Sequence, residues 1–162
     1  MTTTYDEFLL AKTEFDSAVG FDIEDDTIHP LLLPHQRAIV TWAVRGGRRA
    51  IFAKFGLGKT MMQLETLRII LAESGLDANM LGIPLTFVRR SEQVDGPGLY
   101  ITNYESVRDG RLSPDLFDAV SLDEASVLRS YGSKTYQAFL GMFDSLRYKF
   151  VATATPSPNR YK

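Results

Sequence analysis

The sequence AKFGLGKT, residues 53–60, separates a short apolar run from a stretch with helical periodicity. The run before it, RAIFA at residues 49–53, predicts a short buried strand. Residues 59–73 after it carry apolar side chains at helical spacing, and Gly75 is expected to end that helix. The predicted order is therefore strand, glycine-containing loop and helix.

The loop contains the residue types that bind a phosphate group. Gly56 and Gly58 let the backbone approach an anion without a Cβ in the way, and the helix N-terminus that follows favours negative charge. The stretch fits the pattern G-x-x-x-x-G-K-[ST] except that Ala53 replaces the first glycine. In that pattern Lys59 contacts the β- and γ-phosphates and the Thr60 hydroxyl coordinates Mg²⁺. The alternative is a plain strand–turn–helix junction with a solvated lysine.

Composition restricts the class of protein. The chain has 162 residues, 44% hydrophobic and 23% charged, which is typical of one globular domain. It has no cysteine, so no disulfide or thiolate metal site is possible, and two histidines are too few for a histidine zinc site. No apolar run has the ~20 residues of a membrane span. Because the start lacks a signal-peptide pattern, we expect a cytoplasmic protein, in the host cytoplasm if the chain comes from a phage.

Charge is unevenly distributed along the chain. Net charge is −2, but acidic residues crowd the first 26 positions, and the remainder is net basic with arginine clusters at 45–49 and 89–90. We therefore predict an acidic N-terminal segment at 1–28, which is either a solvated tail or an interaction arm, followed by one domain at 29–162. The arginines are either ordinary solvated surface or a basic groove for a phosphate backbone.

Further strands and helices alternate along the chain. Helices are predicted at 34–44, where Ile39, Trp42 and Ala43 share a face, and around Tyr136, Phe139, Leu140 and Phe143. Strands are predicted at 85–88, 99–102, 119–122 and 149–154. This alternation predicts a mostly parallel sheet covered on both faces, with ligands at the carboxyl ends of the strands.

Two other polar segments fall at predicted strand ends. DEAS, residues 123–126, follows one strand, and TATP, residues 153–156, ends another. Asp123 would hold the metal through its water shell, and Glu124 would orient or deprotonate an attacking water. Gln36 lies on the helix before the loop, and its amide suits the N6 and N7 edge of adenine. The alternative is that DEA is an ordinary surface turn and that Gln36 is an ordinary surface glutamine on a helix.

Together these segments resemble the first motor domain of superfamily 2 helicases and translocases, of the Swi/Snf type or the phage DEAD/DEAH-like type. The resemblance rests on AKFGLGKT, on DEAS with serine at its last position, and on TATP. It implies a P-loop NTPase domain of RecA-like fold, a three-layer sandwich that uses ATP and Mg²⁺.

The resemblance also implies roles for particular residues. Gln36 would read adenine, and Thr153 and Thr155 would link the ATP site to nucleic acid. ITNYESV is similar to a segment near bound nucleic acid, with Thr102, Asn103 and Tyr104 as candidates. DNA is favoured over RNA as the partner.

Two departures from the family's pattern change the expectation. The segment between Gly75 and Leu85 is too short for the strand, motif and helix usual there, so the sheet is expected to be one strand short. No second motor domain follows TATP, and that domain carries the arginine finger, worth roughly 10³–10⁵-fold in rate.

We therefore expect an ATP-binding domain with little or no turnover and weak nucleic-acid binding, to be completed by a second motor domain or a partner protein. Two alternatives are a non-catalytic binding module derived from a helicase and a P-loop ATPase unconnected with nucleic acid.

Overall fold

A computed structural model describes residues 18–75, 84–125, 139 and 141–155. The helices are α1 (Pro34–Gly46), α2 (Lys59–Glu73) and α3 (Tyr104–Arg108). The strands are β1 (Arg48–Phe52), β2 (Leu85–Phe87), β3 (Leu99–Ile101), β4 (Ala119–Leu122) and β5 (Tyr148–Thr153). Single 3₁₀ turns lie at Asp25–Thr27, Ser91–Gln93 and Pro114–Leu116.

The strands form two parallel sheets within the described residues. One sheet has the order β1-β5-β4, and the other pairs β2 with β3. The chain is thus an α/β protein, as the sequence predicts, and each strand position is confirmed to within one residue. Tyr136 and Leu140 of the last predicted helix, and Ser126 and Pro156 of the two motifs, lie outside the described residues.

Helices α1 and α2 pack together against the three-stranded sheet. Val40 and Val44 of α1 meet Met62 and Ile69 of α2 in one buried cluster, together with Ile51 of β1. Ile28, Leu32, Ala53 and Ala152 complete it. A separate cluster of Val88, Val107, Leu112 and Phe139 packs beside the β2-β3 sheet. None of the described helices is both long and apolar enough to cross a membrane.

The buried face of α1 differs from the predicted one. Trp42 is 47% exposed, and the Arg49 guanidinium lies 5.3 Å from the centroid of its ring. The buried positions are Gln36, Val40, Ala43, Val44 and Gly46. The apolar face that Ile39, Trp42 and Ala43 were predicted to share is thus only partly buried, because the buried stripe is centred on the 36–40–43–44 positions and includes the polar Gln36.

Candidate functional site

The order β1-β5-β4 brings three separate sequence segments to one edge of the sheet. Phe52, the last residue of β1, pairs with Thr153 of β5, and Leu122 at the end of β4 pairs with Val151. The loop at 53–60, the TATP threonines and the DEA carboxylates therefore all follow the carboxyl ends of adjacent strands. In parallel sheets this is where ligands bind.

The loop has the backbone that its glycines predict. Gly56 and Gly58 have φ values of +82° and +77°, in the left-handed region that side chains disfavour. Gly58 caps α2, and its carbonyl accepts a hydrogen bond from the Met62 amide at 3.1 Å. Ala53 has no positive φ, and its amide donates to the Thr153 carbonyl at 3.3 Å, which extends the ladder. Alanine therefore fits the first position of this loop.

Gln36 joins the start of α1 to the loop. Its Oε1 accepts from the Leu33 amide at 2.9 Å, and its Nε2 donates to the Leu57 carbonyl at 3.1 Å. A Cβ on Gly58 would lie 2.4 Å from that Nε2. Each end of the amide keeps one further hydrogen-bonding position, since it has two donors and two acceptor lone pairs. The adenine role stays a prediction, and the contact with the loop is a role that the sequence did not indicate.

Lys59 and Phe55 of the loop lie against each other. Lys59 is only 9% exposed, and its Nζ is 4.9 Å from the centroid of the Phe55 ring. Phe55 itself is 78% exposed. Among the described residues, no carboxylate forms an ion pair with Lys59. The ammonium is thus held by a cation–π contact at the N-terminus of α2, where a phosphate would meet it.

The two carboxylates after β4 have different surroundings. Asp123 is exposed, and its Oδ1 accepts from the Glu124 amide at 2.9 Å. Glu124 has a φ of +49°, the only positive value among the described non-glycine residues, in a conformation that costs about 1–2 kcal/mol. Such strain is concentrated at functional sites. Asp123 and Glu124 therefore differ in backbone conformation, and their metal and base roles stay predictions.

Tyr104 supports the backbone of this turn. Its hydroxyl donates to the Asp123 carbonyl at 2.6 Å, and its ring packs against Phe139 with centroids 5.6 Å apart. Burial raises the pKa of Tyr104 to about 12, and the nearby Asp123 and Glu124 carboxylates add to the rise. The hydroxyl therefore stays protonated at neutral pH and keeps its donor role.

Thr60 and Asp123 line one cavity of about 290 Å³ between α2, β3 and β4. The described residues contain no cluster of three or more His, Asp or Glu side chains that could hold a metal. A hydroxyl and one carboxylate nevertheless fit Mg²⁺, which commonly takes one or two protein ligands together with phosphates and water. These are the two residues that the sequence predicts as metal ligands.

The three predicted nucleic-acid residues face this cavity. Thr102 Oγ1 is buried and has no hydrogen-bond partner among the described residues, while Asn103 Oδ1 caps α3 by accepting from the Ser106 amide at 3.0 Å. The Tyr104 hydroxyl already donates its hydrogen bond to the Asp123 carbonyl. Contact of these three residues with nucleic acid stays a prediction. The sequence did not indicate the burial and hydrogen bonds that their side chains have within the fold.

The two threonines of TATP lie at the end of β5. Thr153 is buried, and its Oγ1 accepts from the Thr155 amide at 3.1 Å. This hydrogen bond turns the chain at the strand's carboxyl end, next to Ala53 of the loop. The coupling role of both residues stays a prediction.

A buried ion pair on α2 was missed at the sequence level. Glu65 is fully buried and accepts two hydrogen bonds from Arg68, both at 2.8 Å, and one from the His29 amide at 2.7 Å. Arg68 Nη2 also donates to the Thr27 carbonyl, and hydrogen bonding to Glu65 raises the pKa of Arg68. The signal was E-x-x-R at i,i+3 spacing, which marks a helical pair but not its burial.

No protein-family model matches the chain, and no curated protein matches it.

Proposed function

We propose that residues 53–60 bind the phosphates of Mg-ATP, and that the chain is an N-terminal motor domain of a nucleic-acid-dependent ATPase of the helicase type. One observation carries this proposal. The sheet order β1-β5-β4 gathers the loop, the TATP threonines and the DEA carboxylates at a single edge, although they lie far apart in the sequence. The loop is thus accompanied, at the same edge, by the carboxylates and hydroxyls that the proposed function needs.

Each side chain has a role that follows from its position. Lys59, at the N-terminus of α2, supplies the positive charge for the β- and γ-phosphates, and the loop amides supply donors. Thr60 and Asp123 would hold Mg²⁺, which neutralises phosphate charge when bound. Glu124 accepts the proton of the attacking water or orients it.

Turnover by this domain alone is proposed to be low. Phosphoryl transfer depends on positive charge at the γ-phosphate, and in proteins of this type an arginine from a second domain contributes roughly 10³–10⁵-fold. Nucleic acid, DNA in preference to RNA, would bind weakly and with strong salt dependence because one domain offers few phosphate contacts.

A non-catalytic binding module is the second candidate, and one observation favours it. The Gln36 side chain is already hydrogen-bonded to the Leu33 amide and the Leu57 carbonyl. Thr102 and Tyr104 line the cavity, and the Tyr104 hydroxyl donates to the Asp123 carbonyl. Several residues with predicted roles in a motor domain therefore make contacts that stabilise the fold. Such a module would keep the fold without binding nucleotide.

Magnesium dependence of ATP binding separates the two. ATP is titrated into the parent chain with Mg²⁺ and with EDTA, and the parent is expected to bind more tightly with Mg²⁺. Asp123→Asn should remove most of that difference. Asp118→Asn is the matched control, because Asp118 precedes β4 and lies at the opposite end of the same strand. Equal loss in both variants, or no ATP binding by the parent, would favour the binding module.

A further inference from the structure

Phe55 is the most exposed of the large apolar side chains that the structure describes, at 78%. Its ring lies outside the buried clusters of the described chain. The ring contacts the Lys59 ammonium, with 4.9 Å between Nζ and the ring centroid. Burial of apolar surface therefore does not account for an aromatic ring at this position, whereas the contact with Lys59 gives the ring something to do.

The backbone of the loop brings Phe55 and Lys59 together. The Leu57 amide donates to the Lys54 carbonyl at 3.4 Å, which closes a turn around Phe55. Gln36 Nε2 holds the Leu57 carbonyl from the start of α1, and Lys59 is the first residue of α2. The ring and the ammonium thus meet because the turn and the start of the helix fix both backbones.

The chemistry of this contact suits a lysine that binds an anion. An ammonium has three N–H donors and no acceptor. A carboxylate beside it would take those donors and cancel the charge that attracts a phosphate, and no described carboxylate forms an ion pair with Lys59. A ring attracts the cation through its quadrupole, so N–H groups directed away from the ring remain available for phosphate oxygens.

Holding the lysine in advance also favours binding. A flexible side chain loses rotamer freedom when a ligand immobilises it. Lys59 is 9% exposed and lies against the ring, so part of that freedom is already lost before a ligand arrives. A cation–π contact with an exposed ring corresponds to about a two- to fivefold change in affinity.

We propose that Phe55 is a positioning residue for Lys59, whose ring holds the ammonium at the N-terminus of α2 with its donors available to the phosphate chain of a nucleotide. This role rests on the proposed function, because a phosphate is the ligand that Lys59 would meet there. The ring acts on the lysine and not on the base or the ribose. Its effect should therefore be the same for any ligand that carries the same phosphates.

The test compares Phe55→Leu, which removes the ring and keeps an apolar side chain, with Phe55→Tyr, which keeps a ring. Phe52→Leu is the matched control, because Phe52 is a second exposed phenylalanine at the end of β1. Mg-ATP and magnesium tripolyphosphate are titrated by calorimetry into the parent chain and each variant. Tripolyphosphate has three linked phosphates but no base or ribose.

Phe55→Leu should bind both ligands about two- to fivefold more weakly, whereas Phe55→Tyr and Phe52→Leu stay close to the parent. Parent affinity in Phe55→Leu, or tighter binding because the ring had withheld the lysine, would overturn the positioning role and leave the proposed function standing. A loss for Mg-ATP alone would also overturn it, because the ring would then contact the base or the ribose. Failure of the parent to bind either ligand would instead overturn the proposed function, and this role with it.

Proton spectra of the ligand-free chain give a readout that does not depend on nucleotide. Protons that lie over an aromatic ring are shifted upfield, so the Lys59 ε-methylene signals should lie upfield in the parent and Phe55→Tyr, and return to their ordinary position in Phe55→Leu. Ordinary shifts in the parent would show that the ring does not hold Lys59 and would overturn the proposal. Because Phe55 is exposed, Phe55→Leu should unfold in urea as the parent does, which separates lost positioning from a lost fold.

Discussion

Replacing Gly58 with alanine tests how the loop at residues 53–60 is held. Gly58 has a φ of +77°, and a Cβ there would lie 2.4 Å from Gln36 Nε2. The left-handed backbone alone costs an alanine about 1–2 kcal/mol. The Gln36 side chain can move away, but it then loses its hydrogen bond to the Leu57 carbonyl, worth about 0.5–1.5 kcal/mol. Gly58→Ala should therefore lower the free energy of unfolding by about 1.5–3.5 kcal/mol.

The loop supplies its own control in Gly56. Its φ of +82° is similar, but a Cβ there would meet no atom within 4 Å, so Gly56→Ala carries the backbone cost alone. The free energies of unfolding of Gly56→Ala and Gly58→Ala, measured in urea, should differ by the contribution of the Gln36 hydrogen bond, about 0.5–1.5 kcal/mol. In a Gln36→Ala background the two glycine substitutions should cost the same. Equal costs in the parent background would refute the claim that Gln36 holds the loop.

Three further outcomes are expected. Glu124→Gln should keep ATP affinity and lower any steady-state hydrolysis, since the amide preserves shape and removes the base; a loss of affinity as large as that of Lys59→Ala would contradict the assigned role. Glu65→Gln should lower the urea-unfolding free energy by about 3 kcal/mol because it breaks a buried pair, whereas Asp22→Asn, in an exposed pair, should change it by less than about 1 kcal/mol; similar changes would refute the buried network. Because the folded pKa of Tyr104 is raised to about 12, its contribution is present below pH ~10 and lost between about 10 and 12, so Tyr104→Phe should flatten that fall in unfolding free energy; parallel pH curves would exclude it.

Much of the fold follows from local sequence signals. Helix α2 begins at Lys59 after a left-handed Gly58 and ends at Glu73, as predicted, because glycine placement and apolar spacing agree there. The strand positions were predictable because short apolar runs are bounded by turn residues. The parallel α/β class then follows from their alternation with helices.

Other features depend on tertiary contacts that no local pattern encodes. Trp42 lies at the surface with Arg49 stacked on its ring, while Gln36 is buried and bonds the loop. Glu65 is buried because an arginine and a backbone amide satisfy it. Hydropathy alone predicts the reverse for each of these three side chains.

Some features of the candidate site were likewise predictable from the sequence, and others were not. The glycines, Lys59 and the two carboxylates were predicted as site residues from spacing, and the sheet order shows how they come to lie at one edge. The Tyr104 contact with Asp123 could not be predicted, because it joins α3 to the end of β4 across 19 positions of sequence.

Calorimetric titration of Mg-ATP into the parent chain, Lys59→Ala and Lys54→Ala tests the central claim most directly. Lys59 is buried at the N-terminus of α2, whereas Lys54 is an exposed lysine of the same loop. Lys54→Ala is therefore the control, because it removes one positive charge from the loop just as Lys59→Ala does. Loss of a charge-assisted contact worth about 1.5–3 kcal/mol predicts that Lys59→Ala binds about 10–150-fold more weakly, and that Lys54→Ala stays close to the parent. Equal affinities of the parent and Lys59→Ala would contradict the phosphate-binding loop.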